Sequence, residues 1–65
     1  MFIEIAEAMG LEFRETDSES NYWFEFNGKT ILVMYSQANG LKEATEYAAG
    51  VVFQLIGKIL AELLS

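Results

Sequence analysis

The chain has 65 residues, of which 52% are hydrophobic, and its formal net charge is −6. It contains neither Cys nor His, which excludes a disulfide framework, thiolate and imidazole metal sites, and the commonest catalytic bases and nucleophiles. We therefore expect a single domain, residues 1–65, that is held together by apolar burial, has no cofactor or metal, and is not an enzyme.

The first predicted element is a short helix. Phe2, Ile5, Ala6 and Met9 are spaced i, i+3, i+4 and i+7, which places them on one stripe of a helix. Gly10 is positioned to end this helix in a left-handed cap. So short a helix is not stable alone, and we expect it to pack on the rest of the chain.

Three strands are predicted next. Residues 11–16 alternate apolar and polar side chains, which predicts a strand with Leu11 and Phe13 directed inward. Residues 17–20, DSES, predict a loop, and residues 21–26 and 29–36 predict two further strands. The Asn-Gly pair at 27–28 between them predicts a two-residue type I′ turn.

The predicted turn fixes the register of the hairpin and therefore its two faces. Trp23 is expected opposite Leu32, and Phe24 opposite Ile31, because a two-residue loop pairs the strands symmetrically. One face then carries these apolar and aromatic side chains: Tyr22, Phe24, Phe26, Ile31, Val33 and Tyr35. The other face carries Trp23, Leu32 and Met34, with Glu25 and Thr30 near the turn. Since both faces are apolar, the second face requires a cover or a binding partner.

A long helix is predicted from Leu41 or Lys42 to Leu64. Its apolar arc is wider than packing on one sheet requires, and its C-terminal turns are expected to extend beyond the sheet. We predict that a homodimer or higher homo-oligomer forms through these residues: Val52, Phe53, Ile56, Ile59, Leu60 and Leu63. Two alternatives stay open. The helix could bend over a curled sheet, or it could cross a membrane, although charges such as Lys58 disfavour a span.

The predicted fold class is α+β. The order α-β-β-β-α describes two layers, a three-stranded antiparallel sheet packed on a long C-terminal helix and a short N-terminal helix. This order, with KEATEYAA at residues 42–49 opening the last helix, resembles the double-stranded RNA-binding domain. That family opens its final helix with clustered lysines, whereas only Lys42 stands here, and Glu4 and Glu7 make the first helix acidic. The resemblance implies a shared fold without RNA binding.

The excess negative charge lies entirely within residues 1–25. Seven carboxylates there face one cation, Arg14, whereas the charges of residues 26–65 balance. Such a field repels nucleic acid and anionic membranes and attracts basic partners. We predict a partner-binding surface formed by these residues: Glu4, Glu7, Glu12, Glu15, Asp17, Glu19, Trp23, Leu32 and Met34. The simpler interpretation, that the acidic surface only keeps the protein soluble, stays open.

Small acidic chains without Cys and with surplus apolar surface resemble, in type, phage-encoded inhibitors of host machinery, including anti-CRISPR proteins and nucleic-acid mimics. The leading hypothesis is a non-enzymatic, cytoplasmic inhibitor that blocks a basic partner protein and binds neither nucleic acid nor membrane itself. One alternative is an oligomer that sequesters a small ligand or nucleotide at sites lined by Tyr22, Trp23, Tyr35 and Tyr47. Another is a structural assembly subunit.

Overall fold

The computed structural model describes residues 2–65, which form five elements in the predicted order. Helix α1 spans Phe2–Ala8, strands β1, β2 and β3 span Leu11–Thr16, Tyr22–Phe26 and Lys29–Val33, and helix α2 spans Leu41–Leu64. The strands form one antiparallel sheet in the order β1-β2-β3. Helix α2 contacts all three strands, and α1 contacts α2 and β1. The predicted α+β fold is confirmed.

The core lies between one face of the sheet and α2. Its largest fully buried side chains are Phe24 and Val33 from the sheet and Val52 from the helix. Ala44 and Ala48 of α2 are also fully buried. Because alanine has almost no side chain, the helix backbone approaches the sheet closely along this segment.

The hairpin between β2 and β3 has the predicted turn and register. Asn27 and Gly28 both have positive φ, 49° and 85°, as a type I′ turn requires. Trp23 pairs with Leu32, and Phe24 pairs with Ile31. The two faces of this hairpin are therefore the ones that the sequence predicts.

Strand β1 departs from the predicted alternation at Arg14. Phe13 pairs with Phe24, but Glu15 pairs with Trp23, so the register shifts by one residue between them. This irregularity is a β-bulge, and it moves Glu15 to the face that Trp23 occupies. Without the bulge, Glu15 would lie on the same face as Leu11 and Phe13, towards the core, where a carboxylate is costly.

Strand β3 is shorter than predicted, because it ends at Val33 and not at Ser36. The next residues form a turn in which the Gln37 N–H donates to the carbonyl of Met34 at 2.8 Å. Tyr35 lies in this turn and is 67% exposed, so its assignment to the apolar face of the hairpin was wrong. The turn directs the chain from the sheet into α2.

Helix α1 is less buried than its apolar stripe predicts. Ala6 is fully buried and Ile3 packs against the core, whereas Phe2, Ile5 and Met9 all remain exposed. The ring of Phe2 lies 5.7 Å from that of Phe53 in α2, measured between centroids. Helix α1 has only two turns and contacts α2 and β1. Part of its apolar stripe is therefore buried in these contacts, and the rest stays exposed.

Helix α2 is partly buried in its first half and exposed in its last turns. All of its buried residues lie between Ala44 and Val52, while residues 57–64 are exposed. By length and composition alone, α2 is the one helix within residues 2–65 that could cross a membrane, with a mean hydropathy of 1.5. The first half of α2 packs on the sheet, and 17% of its most apolar 18-residue stretch is buried within the fold.

Candidate protein-binding surface

The sheet face opposite the helices is uncovered within residues 2–65. We call it the open face, and its strand residues are Glu12, Glu15, Trp23, Glu25, Thr30 and Leu32. The alternation of β2 puts Trp23 and Glu25 on this side, because Phe24 and Phe26 point into the core. Since α1 contacts only α2 and β1, it does not cover Trp23.

The apolar part of the open face is built around the Trp23–Leu32 cross-strand pair. Trp23 is half-buried, Leu32 is 40% exposed, and Met34, which follows β3, is 46% exposed. All three residues belong to the predicted binding set: Trp23 and Leu32 are paired across the strands, and Met34 directly follows the end of β3. Tryptophan is enriched among protein-binding hot spots, and tryptophan and methionine are both enriched at protein interfaces.

The loop after β1 holds Trp23 in place through Asp17. The Trp23 indole Nε1–H donates to Asp17 Oδ2 at 2.8 Å. Asp17 Oδ1 accepts from the backbone N–H groups of Glu19 and Asn21, at 2.9 and 3.0 Å. Both oxygens of Asp17 therefore accept hydrogen bonds, and the side chain holds the indole of Trp23 against the loop.

These hydrogen bonds stabilise the ionised form of Asp17. The indole donor of Trp23 contributes most, followed by the backbone N–H of Asn21, and together they lower the pKa of Asp17 below its ordinary value of 3.8. Asp17 thus remains a carboxylate over the whole physiological pH range. The same loop includes Ser20 at a φ of 64°, an unusual conformation for a residue other than glycine.

The acidic part of the open face contains one cation, Arg14. Its Nε–H donates to Glu25 Oε1 at 2.9 Å, its terminal Nη2 also contacts that oxygen, and Nη2 lies 3.3 Å from Glu12 Oε1. The hydrogen bond with Glu25 raises the pKa of Arg14 above its ordinary value. The sequence-based site omitted Arg14 and Glu25. The predicted register already put Glu25, opposite Thr30, on the same face as Trp23 and Leu32. That register could have added Glu25 to the predicted site.

The predicted acidic set divides between the two layers of the fold. Glu12 and Glu15 lie on the open face, and Asp17 and Glu19 lie in the loop beside Trp23. Glu4 and Glu7 lie on α1, which packs in the helix layer on the opposite side of the sheet. The open face and its loop therefore carry most of the negative charge of the first 25 residues.

The predicted oligomer residues also divide. Val52 is fully buried against the sheet, so its assignment to an intersubunit surface is corrected: this side chain belongs to the core of its own subunit. Phe53 and Ile56 are half-buried against that core. Ile59, Leu60 and Leu63 are exposed, as expected for helical turns beyond the end of the sheet.

The aromatic residues suggested for a ligand site do not converge. Tyr22 and Trp23 are neighbours on one strand, so their rings point to opposite faces. The Tyr47 hydroxyl lies in the helix layer, where it accepts a hydrogen bond from Gln37 Nε2 at 2.7 Å. Within residues 2–65, no group of three carboxylates is placed to hold a metal ion.

Comparison of the chain with protein-family models, with curated proteins and with solved structures finds no match. The open face presents a Trp23 ring held by Asp17 and paired with Leu32, bordered by carboxylates.

Proposed function

We propose that the protein is a non-enzymatic interaction module that binds a basic partner protein through its open face. The Trp23–Leu32 pair, uncovered and bordered by carboxylates, is the observation that carries this proposal. We further propose that the protein acts as an inhibitor of the anti-defence or nucleic-acid-mimic type and blocks a basic surface of its target. A cytoplasmic location remains part of it as an expectation from the sequence.

The apolar pair would supply most of the affinity. Trp is enriched among hot spots, and its cross-strand pairing with Leu32 lets the two side chains be buried together by a partner. The hydrogen bond to Asp17 fixes the indole before binding, so little side-chain freedom is lost when the complex forms. A preorganised anchor of this kind favours a long-lived complex.

The surrounding carboxylates would supply attraction and selectivity. The open face and its loop carry five carboxylates and one guanidinium, which give a net charge of −4. The carboxylates are Glu12, Glu15, Asp17, Glu19 and Glu25, and the guanidinium is Arg14. Charges at the rim of an interface mainly accelerate association and exclude partners of like charge. This distribution favours a basic protein surface and disfavours nucleic acid.

The test uses an amphipathic Lys/Leu peptide with a fluorescent label as the probe, followed by anisotropy at low and high salt. The Glu12→Gln/Glu15→Gln variant removes two charges from the open face. The Glu7→Gln/Glu46→Gln variant removes two exposed charges from the helix layer and is the matched control, because the net charge is the same. We expect the first variant to bind about fivefold more weakly at low salt and the control to bind as the wild type does.

A third variant, Leu32→Gln, tests the apolar part of the same surface. We expect it to weaken binding at both salt concentrations, because the burial of an apolar side chain is not screened by ions. Equal weakening by both charge variants would mean that net charge alone attracts the probe. That result, or an unchanged affinity in Leu32→Gln, would refute docking on the open face.

A further inference from the structure

The two edges of the sheet are protected to different degrees. Strand β1, at one edge, contains the bulge at Arg14 and carries Glu12 and Glu15. Bulges and charged side chains are devices by which proteins prevent a further strand from pairing with a sheet edge. Strand β3, at the other edge, pairs with β2 without a register shift, and Lys29 at its start is its one charged residue. The edge of β3 is therefore the one that can accept an added strand.

The hairpin geometry identifies the backbone groups of β3 that face outwards. The residues on either side of a two-residue loop form a hydrogen-bonded pair, and such pairs alternate along antiparallel strands. Lys29, Ile31 and Val33 therefore bond to β2, while Thr30 and Leu32 direct their N–H and C=O groups away from it. Across the described residues 2–65, no hydrogen bond outside the strand pairing involves the Thr30 or Leu32 backbone.

Met34, the next residue in this alternation, differs from these two because the turn after β3 satisfies it. Gln37 Oε1 accepts the Met34 N–H at 3.0 Å, and the Gln37 N–H donates to the Met34 carbonyl at 2.8 Å. Thr30 and Leu32 thus leave N–H and C=O groups in line, about 7 Å apart along the strand. One added strand can pair with groups in this pattern.

We infer that the partner supplies an extended segment that pairs antiparallel with β3 and has Lys or Arg at every second residue. The inference rests on the proposed function, because it specifies the part of the basic partner that the open face binds. All pairs in this sheet are antiparallel, which is also the more stable kind of pairing. The backbone of the segment would bond to Thr30 and Leu32, and its side chains would provide selectivity.

The open face explains why the segment should carry cations at alternate positions. Residues opposite Thr30 and Leu32 have their side chains on the open face, because cross-strand partners share a face. There the aliphatic stem of Lys or Arg can pack beside Leu32, while its charged head is attracted by the carboxylates of this face. The intervening side chains point to the helix layer, beside Ile31 and Val33, and apolar residues fit that side.

Charge disfavours a second copy of this chain as the added strand. Antiparallel pairing of two β3 strands around a two-fold axis would join the two open faces into one continuous surface. Each open face with its loop has a net charge of −4, so the two faces would repel each other. A segment with alternating cations has the opposite charge and is attracted.

Amide hydrogen exchange, followed by NMR, is the first test. In the free protein we expect the Thr30 and Leu32 amides to exchange as solvated amides do, and those of Ile31 and Val33 to be protected. A saturating short peptide of alternating Lys and Val should slow exchange at Thr30 and Leu32 about tenfold. Protection of these two amides in the free protein at high concentration would mean that a second copy occupies the edge, and would overturn the inference.

The same peptide separates the failure of this inference from the failure of the proposed function. If the peptide shields Trp23 from acrylamide but leaves exchange at Thr30 and Leu32 unchanged, it binds the open face without strand pairing, and only the inference fails. If neither the indole nor the two amides are protected, the proposed function fails as well.

Methylation of the peptide amides provides the second test. In the inferred pairing the Lys amides face β3 and the Val amides face solvent, because the residues opposite Thr30 and Leu32 are the lysines. Methylation of the Lys amides should weaken binding about tenfold through the loss of donors, and methylation of the Val amides should change it less than about twofold. Equal effects, or a larger effect at Val, would overturn the inference.

A matched pair of variants tests the protein side of the same pairing. Thr30→Pro removes an outward N–H without removing a bond to β2, and proline is tolerated at such positions of edge strands. We expect it to weaken peptide binding about fivefold, whereas Thr30→Val, which keeps the N–H, should bind as the wild type does. Urea unfolding of both variants checks that they are folded. Unchanged affinity in folded Thr30→Pro, or equal weakening in both variants, would contradict strand pairing at this edge.

Discussion

Alanine substitutions at Val52 and Leu63 compare two side chains on the same face of α2. Val52 is fully buried, and its truncation removes two carbon groups worth about 0.8 kcal/mol each and leaves a cavity. We expect Val52→Ala to lower the free energy of unfolding by about 2 kcal/mol. Leu63 is 74% exposed, so it gains only about a quarter of the free energy that a fully buried leucine gains. Leu63→Ala should therefore cost about 0.5 kcal/mol.

The assay is urea unfolding at about 1 µM protein, a concentration at which self-association contributes little. A domain of this length has about 3 to 10 kcal/mol of stability and unfolds with a slope of about 1 kcal/mol per molar urea. The midpoint should then move by about 2 M for Val52→Ala and by about 0.5 M for Leu63→Ala. If Leu63→Ala cost as much as Val52→Ala, the C-terminal half of α2 would be packed in the monomer, which would contradict the exposure of residues 57–64.

Asp17 and two glycines give further predictions. The free energy of unfolding should fall as pH drops below 3.8, because protonation of Asp17 removes the charge that strengthens its hydrogen bonds with Trp23 and two backbone N–H groups. In urea unfolding, the difference between wild type and Asp17→Asn should shrink over the same pH range, and a constant difference would contradict this. Gly10→Ala should cost roughly 1 to 3 kcal/mol, because φ is 123° and the new Cβ would lie 2.6 Å from Asn27 Oδ1. Gly28→Ala, with φ at 85° and open space around it, should cost about 1 kcal/mol in the same thermal or urea assay, and an equal cost for both would exclude the close approach at Gly10.

Local signals were sufficient to predict most of the fold. The Asn27-Gly28 turn determined the register of β2 and β3, because a type I′ loop leaves one way to pair the strands. The absence of Pro and the long apolar periodicity predicted α2 to within a residue. Both features depend on residues close together in the chain, where sequence patterns are most informative.

Contacts between distant residues could not be predicted in the same way. The bulge at Arg14 depends on β1 fitting against β2, and it decides which face Glu15 occupies. The hydrogen bond from Trp23 to Asp17 depends on how the intervening loop folds. Likewise, the sequence placed Glu4 and Glu7 with the other acids, although the docking of α1 puts them in the other layer.

The most direct test of the open face is the accessibility of Trp23, the one tryptophan of the chain, to quenching by acrylamide. In the free protein we expect intermediate quenching, as for a half-buried ring, and with saturating Lys/Leu peptide we expect strong protection. Wild type should respond in this way, and Glu7→Gln/Glu46→Gln should give the same result. If quenching were unchanged when the peptide is bound, the peptide would lie elsewhere, and the open face would not be the binding surface.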